Sequence, residues 1–328
     1  MQKGAWYYAK GREAKFRDDV ADLVRCGVRT VIFNSPDDTT TAAFVGLAAS
    51  QPLNLHVAVA LEELYHTVTG KHRPDMVIPR VDEFRARFGE RALPWMICWS
   101  PVQDAAPLAA WLADYARTHA FARGINIDVL RYMNTEFWAD FPCECEACQA
   151  RREPWLGHGT LTADDRRDPS LMHLEIETKG EVMTRIARTL SDAVHAQGLP
   201  FSIAARTVYA GRDTEHADAP MWGYGPAVYE GQDWAAWCRD GILDYIHFMN
   251  YTPRLDRFAR LARQHRALLK GTKAIHHEGM GISSSAGKLP LDVMKQQIEV
   301  CRDAGIAGVT VFSWSGMTPE HMDVLAKA

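Results

Sequence analysis

A single (β/α)8 TIM barrel of the α/β class is the fold this chain predicts, and three observations carry it. Short apolar runs alternate with amphipathic, helix-spaced stretches from one end to the other. Eight of those runs read as major strands, the number such a barrel needs. Polar, charged or aromatic residues stand where the runs end, which is where a barrel keeps its chemistry.

The bulk numbers agree. With 328 residues, 47% hydrophobic and 24% charged, the chain can bury a sizeable core. The whole length, 1–328, reads as one barrel domain, because no linker, low-complexity tract or repeat beyond the βα rhythm interrupts it. A formal net charge of −4 provides no basic face for nucleic acid. No apolar run approaches the roughly 20 residues of a membrane span. Met1–Tyr8 has no secretory signature, so a cytoplasmic location is the expectation. Cys26, Cys98, Cys238 and Cys301 are scattered through apolar or helical segments, which suits a reducing compartment.

In chain order, the first strand is expected near Trp6–Ala9, with a helix through Phe16, Val20, Leu23 and Val24 that stops at Gly27. The second strand is Arg29–Asn34, followed by a helix around Ala42–Ser50. The third is Leu55–Ala60, running into Leu61-Glu62-Glu63. A long polar excursion and a short charged helix near Val81–Phe88 follow. Trp95–Trp99 is apolar as well, but it follows a long insertion and reads as an accessory strand before the helix Pro107–His119. The fourth strand is Gly124–Asp128. A long irregular stretch, about 133–170, then precedes a helix from about His173 to Gln197, so long loops are expected after strands 3 and 4. The fifth strand is Phe201–Val208 and the sixth Asp244–Tyr251. Helix Leu255–Leu269 leads to the seventh, Lys273–Glu278, and helix Leu291–Ala304 to the eighth, Gly308–Trp314. A short helix from Pro319 closes the chain. A doubly wound open sheet is the competitor, but Ala9-Lys10-Gly11-Arg12 is not the Gly-rich turn expected after its first strand.

In a barrel the strand ends converge on one pocket. Trp6, Tyr8, Asn34, Glu62, Glu63, Asp128, Arg131, Arg206, Asn250, Tyr251, His276, His277, Glu278 and Trp314 would all face it. Carboxylates, aromatic rings and hydrogen-bonding side chains together suit a carbohydrate, whose ring faces stack and whose hydroxyls pair. Glycosidic cleavage needs two carboxyl groups. Asp128 ends an apolar strand and is expected to be the nucleophile or charge stabiliser, held ionised by Arg131; a structural Asp128–Arg131 pair is the plainer reading. Glu278, from the opposite side of the mouth, is the expected proton donor, with Glu62, Glu63 and Glu136 as alternatives. Tyr251 would bond the nucleophile and Trp314 floor the sugar site. Arg206 needs an anion, either a protein carboxylate or a carboxylate, sulfate or phosphate on the substrate.

Gly124-Ile-Asn-Ile-Asp-Val-Leu-Arg-Tyr132 resembles the GIHLDYIRY fourth-strand motif of glycoside-hydrolase-like TIM barrels, the hypothetical or family-ten-like glycosyl hydrolase group. Asp244–Tyr251 is similar to the sixth strand, and Gly308–Trp314 to the closing strand, of chitinase-like barrels. The likeness runs from the fourth strand onward. It implies a retaining or inverting hydrolase of poly- or oligosaccharides with Asp128 in the site and no required cofactor. The chain departs from the chitinase D-x-x-D-x-D-x-E, since Asn126 and Arg131 stand near its acidic positions. Substrate-assisted chitin cleavage is therefore not expected.

Cys143-Glu-Cys145-Glu-Ala-Cys148 lies in the loop after the Asp128 strand, and similar loops occur in barrels of this kind. Three close thiolates suit a structural zinc, with His158, Cys98 or an acid as fourth ligand; thiols that pack or oxidise without metal are the alternative. Two other functions fit a sugar-binding mouth. One is a metal-dependent isomerase or epimerase using a set drawn from Glu62, Asp128, His247, His276 and Glu278. The other is a non-catalytic carbohydrate-binding barrel. The sequence lacks the H-x-H at the end of the first strand that an amidohydrolase would carry, and the G-x-S-x-G of a serine hydrolase.

Overall fold

Eight parallel strands close into a ring: β1 (Gln2–Tyr8), β2 (Thr30–Asn34), β3 (Asn54–Ala60), β4 (Ala122–Asp128), β5 (Phe201–Ala205), β6 (Tyr245–Phe248), β7 (Ile275–Gly281) and β8 (Gly308–Phe312). Each pairs with its sequence neighbours, and β8 pairs with β1 to shut the barrel. The computed structural model describes residues 1–132, 141–210 and 226–328.

Helices α1 (Phe16–Arg25), α2 (Asp38–Ala48), α3 (Leu61–Thr69), α4 (Val81–Phe88) and α5 (Ala106–Thr118) precede β4. After it come α6 (Glu146–Leu156), α7 (Pro169–His195), α8 (Trp234–Arg239), α9 (Leu255–Leu268), α10 (Leu291–Asp303) and α11 (Pro319–Lys327). Some of their starts are chemically marked. Asp37 accepts the Thr40 N–H at 2.7 Å ahead of α2, and Asp168 accepts that of Ser170 at 2.8 Å at the head of α7. Apolar helix faces pack on the barrel, except that of α4, whose Phe84 joins a separate cluster with Ile78, Met96 and Phe141. Leu23 of α1 joins Tyr7 and Phe33 in one cluster, and Ile186 and Leu190 of α7 join Ile125 and Phe201 in another. Among the described residues, no helix is long and apolar enough to cross a membrane.

Strand alternation decides which side chains enter the barrel. Trp6, Ile32, Ala58 and Ala204 pack together inside it. Beside them is a polar interior. Asn126 Nδ2 donates to Ser202 Oγ at 2.9 Å, and His247 Nδ1 and His277 Nδ1 each lie 3.0 Å from Thr310 Oγ1. The imidazole of His56 fills the space a side chain at Gly124 would take, since a Cβ there would stand 2.8 Å from the ring.

Several expected elements are corrected. Trp95–Trp99 is not an accessory strand; a 3-10 helix, Glu90–Trp95, runs into an isolated bridge between Asp75 and Ile97. The stretch expected to be irregular contains α6, which starts within the cysteine cluster, after Cys145 and before Cys148. Strands β5 and β6 end earlier than expected, and β7 continues to Gly281, past Glu278. That last difference changes the site.

Candidate functional site

Asp128 is the last residue of β4 and lies opposite Ala60, the last of β3. Its alternation with Gly124 and Asn126 turns the half-buried carboxylate toward the barrel mouth. The chain then turns sharply. Val129 sits at φ +55°, a left-handed conformation that a β-branched residue resists by roughly 1–3 kcal/mol, and its N–H donates to Asp128 Oδ1 at 2.8 Å. The turn thus fixes the direction of the carboxylate.

Because β3 and β4 end in register, the first turn of α3 lands beside Asp128. Glu62 is there, half-buried, with Oε2 screened from solvent and lacking a hydrogen-bond partner among the described residues. Burial raises the pKa of its carboxyl. Arg73 and Arg131 oppose the rise, while Glu63 and Asp128 add to it. Glu63 is exposed and accepts the Ala60 N–H at 3.4 Å. Two carboxyl groups therefore lie close enough at the mouth for their charges to interact, in different environments.

The floor is aromatic. Tyr8 stacks on Trp6 at 6.3 Å between centroids and meets Phe312 edge-on at 6.1 Å, and Tyr251 stacks on Phe312 at 4.5 Å. Burial raises the Tyr8 phenol first, and the Asp128 charge adds to it; Tyr251 moves the same way for the same leading reason. Both phenols remain protonated donors near the carboxylate. Glycines on β7 make room for Tyr251. A Cβ at Gly279 would stand 2.1 Å from the Phe248 carbonyl and 2.8 Å from the Tyr251 ring, and one at Gly281 would stand 2.6 Å from Tyr251 Cβ. The Phe312–Ser313 peptide bond at the end of β8 is cis.

Arg206 follows β5 and finds its anion within the protein. Nε and Nη2 donate to Glu230 at 2.5 and 2.8 Å, and Glu230 is wholly buried. Arg131 Nε lies 3.2 Å from the same carboxylate. Burial and the nearby Arg206 lower Arg131 to about 10, against the opposing charges of Glu230, Asp128 and Glu62, so it stays cationic at neutral pH. The pairing expected between Asp128 and Arg131 is thus electrostatic proximity, with Glu230 as the contact partner. Glu230 lies in a 3-10 helix, Ala227–Glu230, and sequence reasoning missed it; the signal was the need of Arg206 for an anion. Trp99 Nε1 donates to the Arg131 carbonyl at 2.9 Å, and Ser100 and Tyr132 hydroxyls meet at 3.0 Å.

The remaining expectations divide. Trp6 and Asn34 are at the barrel end, Trp6 buried in the interior and Asn34 half-buried with Nδ2 3.4 Å from the Ala58 carbonyl. Glu278 is not at the mouth. It is mid-strand, wholly buried and turned outward against α9, where Oε1 meets His265 Nδ1 at 2.7 Å and His276 Nε2 at 2.6 Å. Asn250 Nδ2 donates to Oε2 at 3.0 Å, so Asn250 and His276 also face away from the pocket. His277 points inward but far down the barrel, with Nε2 3.2 Å from Gln2 of β1's first position. Trp314 is buried with the outer cluster around Phe258 and Met280, not on the floor. Glu136 lies outside the described residues. The set Glu62, Asp128, His247, His276 and Glu278 is consequently not brought together: two face the mouth, one the interior and two the helices.

Beside the mouth, four cysteine sulfurs converge. Cys98, Cys143, Cys145 and Cys148 place every Sγ within 4.8 Å of the others. His158 bonds to the Thr160 carbonyl instead, at 2.8 Å.

Comparison with known proteins finds no matching family model and no matching curated protein. Solved structures are similar. The glycoside hydrolase domain of PgaB (BpsB) from Bordetella bronchiseptica aligns at TM-score 0.63 and 11% identity, covering 99% of this chain and 98% of that one. A GH18 chitinase from Pseudoalteromonas aurantia aligns at 0.56 and 10%, covering 100% and 99%. The spore cortex-lytic enzyme SleL of Bacillus cereus aligns at 0.57 and 9%, covering 99% and 74%. At such identities the likeness establishes the shared barrel fold.

Proposed function

We propose that the chain is a glycoside hydrolase acting on a poly- or oligosaccharide, of the family-ten-like group that the β4 motif resembles, with Asp128 and Glu62 as its two carboxyl groups. The observation that carries this reading is an ordered Asp128 carboxylate at the mouth beside a Glu62 carboxyl raised by burial, above a floor of Tyr8, Tyr251 and Phe312. Glycosidic cleavage calls for two carboxyl groups, one to attack or to stabilise charge and one to protonate the leaving oxygen. Asp128 serves as nucleophile or charge stabiliser. Glu62 replaces Glu278 as proton donor to the leaving oxygen. The aromatic rings stack on a sugar face, and the Tyr8 and Tyr251 hydroxyls donate to Asp128 or to the substrate. Glu63 is exposed and accepts the Ala60 N–H at the start of α3.

Solved structures named as glycoside hydrolases share the barrel, which supports the reaction class without identifying the sugar. The residue set that a metal-dependent isomerase would use is divided, with His247 in the barrel interior and His276 and Glu278 turned toward the helices.

The test is release of reducing ends from a glycan panel. Asp128→Asn should lower turnover by about three orders of magnitude or more while melting like the parent. Near-parental turnover in that variant refutes the role of Asp128. Glu62→Gln should be damaged on natural glycans but substantially restored on substrates with an activated aryl leaving group, which need little protonation. It should also lose the alkaline limb of the kcat/KM profile, which burial of Glu62 moves toward higher pH. A parent that binds glycans without any turnover, with unchanged affinity in Asp128→Asn, would favour the non-catalytic reading.

A further inference from the structure

Cys98 and the trio Cys143, Cys145 and Cys148 come from two connections, the one after β3 and the one after β4. Cys98 Sγ lies 3.5 Å from Cys148 Sγ and 3.9 Å from Cys145 Sγ. A tetrahedron of sulfurs with metal–sulfur bonds of about 2.3 Å has edges of about 3.8 Å, whereas a disulfide brings its sulfurs to about 2.05 Å. The observed spacing is the first kind, and all seven cysteines are unbridged.

We infer that these four cysteines bind one structural zinc ion, with Cys98 as the fourth ligand. Binding releases the thiol protons to solvent and leaves four thiolates around Zn²⁺, a centre of negative charge. Its surroundings offset that charge. Cys145 stands at the N-cap of α6, where the helix dipole favours negative charge, and its N–H lies 3.5 Å from Cys143 Sγ. Lys179 and Arg152 are close enough for their charges to interact with the thiolates. Four protein ligands leave no open position for water or substrate, so the ion has no part in the chemistry.

Its effect is mechanical. The two residues after Cys98 are Trp99 and Ser100, which hold the Arg131 carbonyl and the Tyr132 hydroxyl. The ion therefore locks the segment that positions Arg131 to the segment that leaves the mouth. This assignment stands whether or not the chain is a hydrolase.

The test begins with the parent protein, purified under reducing conditions and assayed for metal. About one zinc per chain is expected, and replacement by cobalt should give the thiolate charge-transfer and visible bands of a tetrahedral site. Cys98→Ser should lose the bound zinc, while Cys301→Ser, a buried cysteine outside the cluster, should retain it. If Cys98→Ser does not fold, the metal content and cobalt spectrum of the parent still decide. A parent without zinc and without cobalt–thiolate bands overturns the inference, as does a Cys98→Ser variant that holds zinc as tightly as the parent.

Discussion

Two carboxylates on different strands of one barrel do opposite things, and their immediate partners explain it. Asp128 receives one backbone N–H and otherwise faces the mouth. Glu278 is enclosed by His265, His276 and Asn250. Burial alone would raise the Glu278 pKa, but the two histidines reverse that and hold it at about 2. A carboxyl group so acidic cannot serve as a proton donor near neutral pH. Its role is to bind α9 to β7. Because the folded value lies below the ordinary carboxyl value of 4.5, the stabilisation is complete above that pH and is lost as pH falls toward 2. Glu278→Gln leaves buried histidines with a weaker partner and should cost about 3 kcal/mol in chemical denaturation. Activity per folded molecule should persist. A large loss of turnover with an unchanged melt would return Glu278 to the catalytic set.

At the scale of elements, strand register and strand length determine what reaches the mouth. The coterminal ends of β3 and β4 put Glu62 at the start of a helix beside Asp128. In the sequence, Gly279-Met280-Gly281 resembles the end of a strand, and ending β7 at Glu278 places that residue on the rim. In the structure the glycines continue the strand because Tyr251 and the Phe248 carbonyl occupy the space their side chains would need. Gly279→Ala should therefore push Tyr251 off Phe312 and cost about 1–3 kcal/mol. Thermal melting will report the destabilisation, and an increased KM on the true substrate will report the displaced ring. A variant with parental values in both would show that the close approach has no consequence.

At the scale of the whole molecule, the barrel is filled partly by neutral imidazoles. Burial lowers His56 to about 4 and His277 to about 3, and lowers His247 as well. The unfolded chain binds protons at these positions first, so stability falls as pH drops below 6.5 and continues to fall toward the folded values. His56 alone contributes on the order of 3 kcal/mol across that window. Denaturation curves from pH 7 to 4 should show this decline, and His56→Gln should flatten it; a pH-independent midpoint would contradict the buried neutral assignment. The eight-strand order was legible in the sequence because hydrophobic alternation is local: an apolar run between amphipathic stretches is a strand wherever it occurs. Asp128 was legible for the same reason, being a charge at the end of such a run, and so was the clustering of Cys143, Cys145 and Cys148. The outward direction of Glu278, the burial of Trp314, the pairing of Arg206 with Glu230 and the arrival of Cys98 at the other cysteines were not. Each depends on which distant segments pack together, and a one-residue difference in alternation turns a side chain from the pocket to the helices. Composition and periodicity thus determined the barrel and one of its mouth carboxylates, while tertiary packing alone decided which second carboxyl joins it, because burial and neighbouring charge are properties of space and not of sequence order.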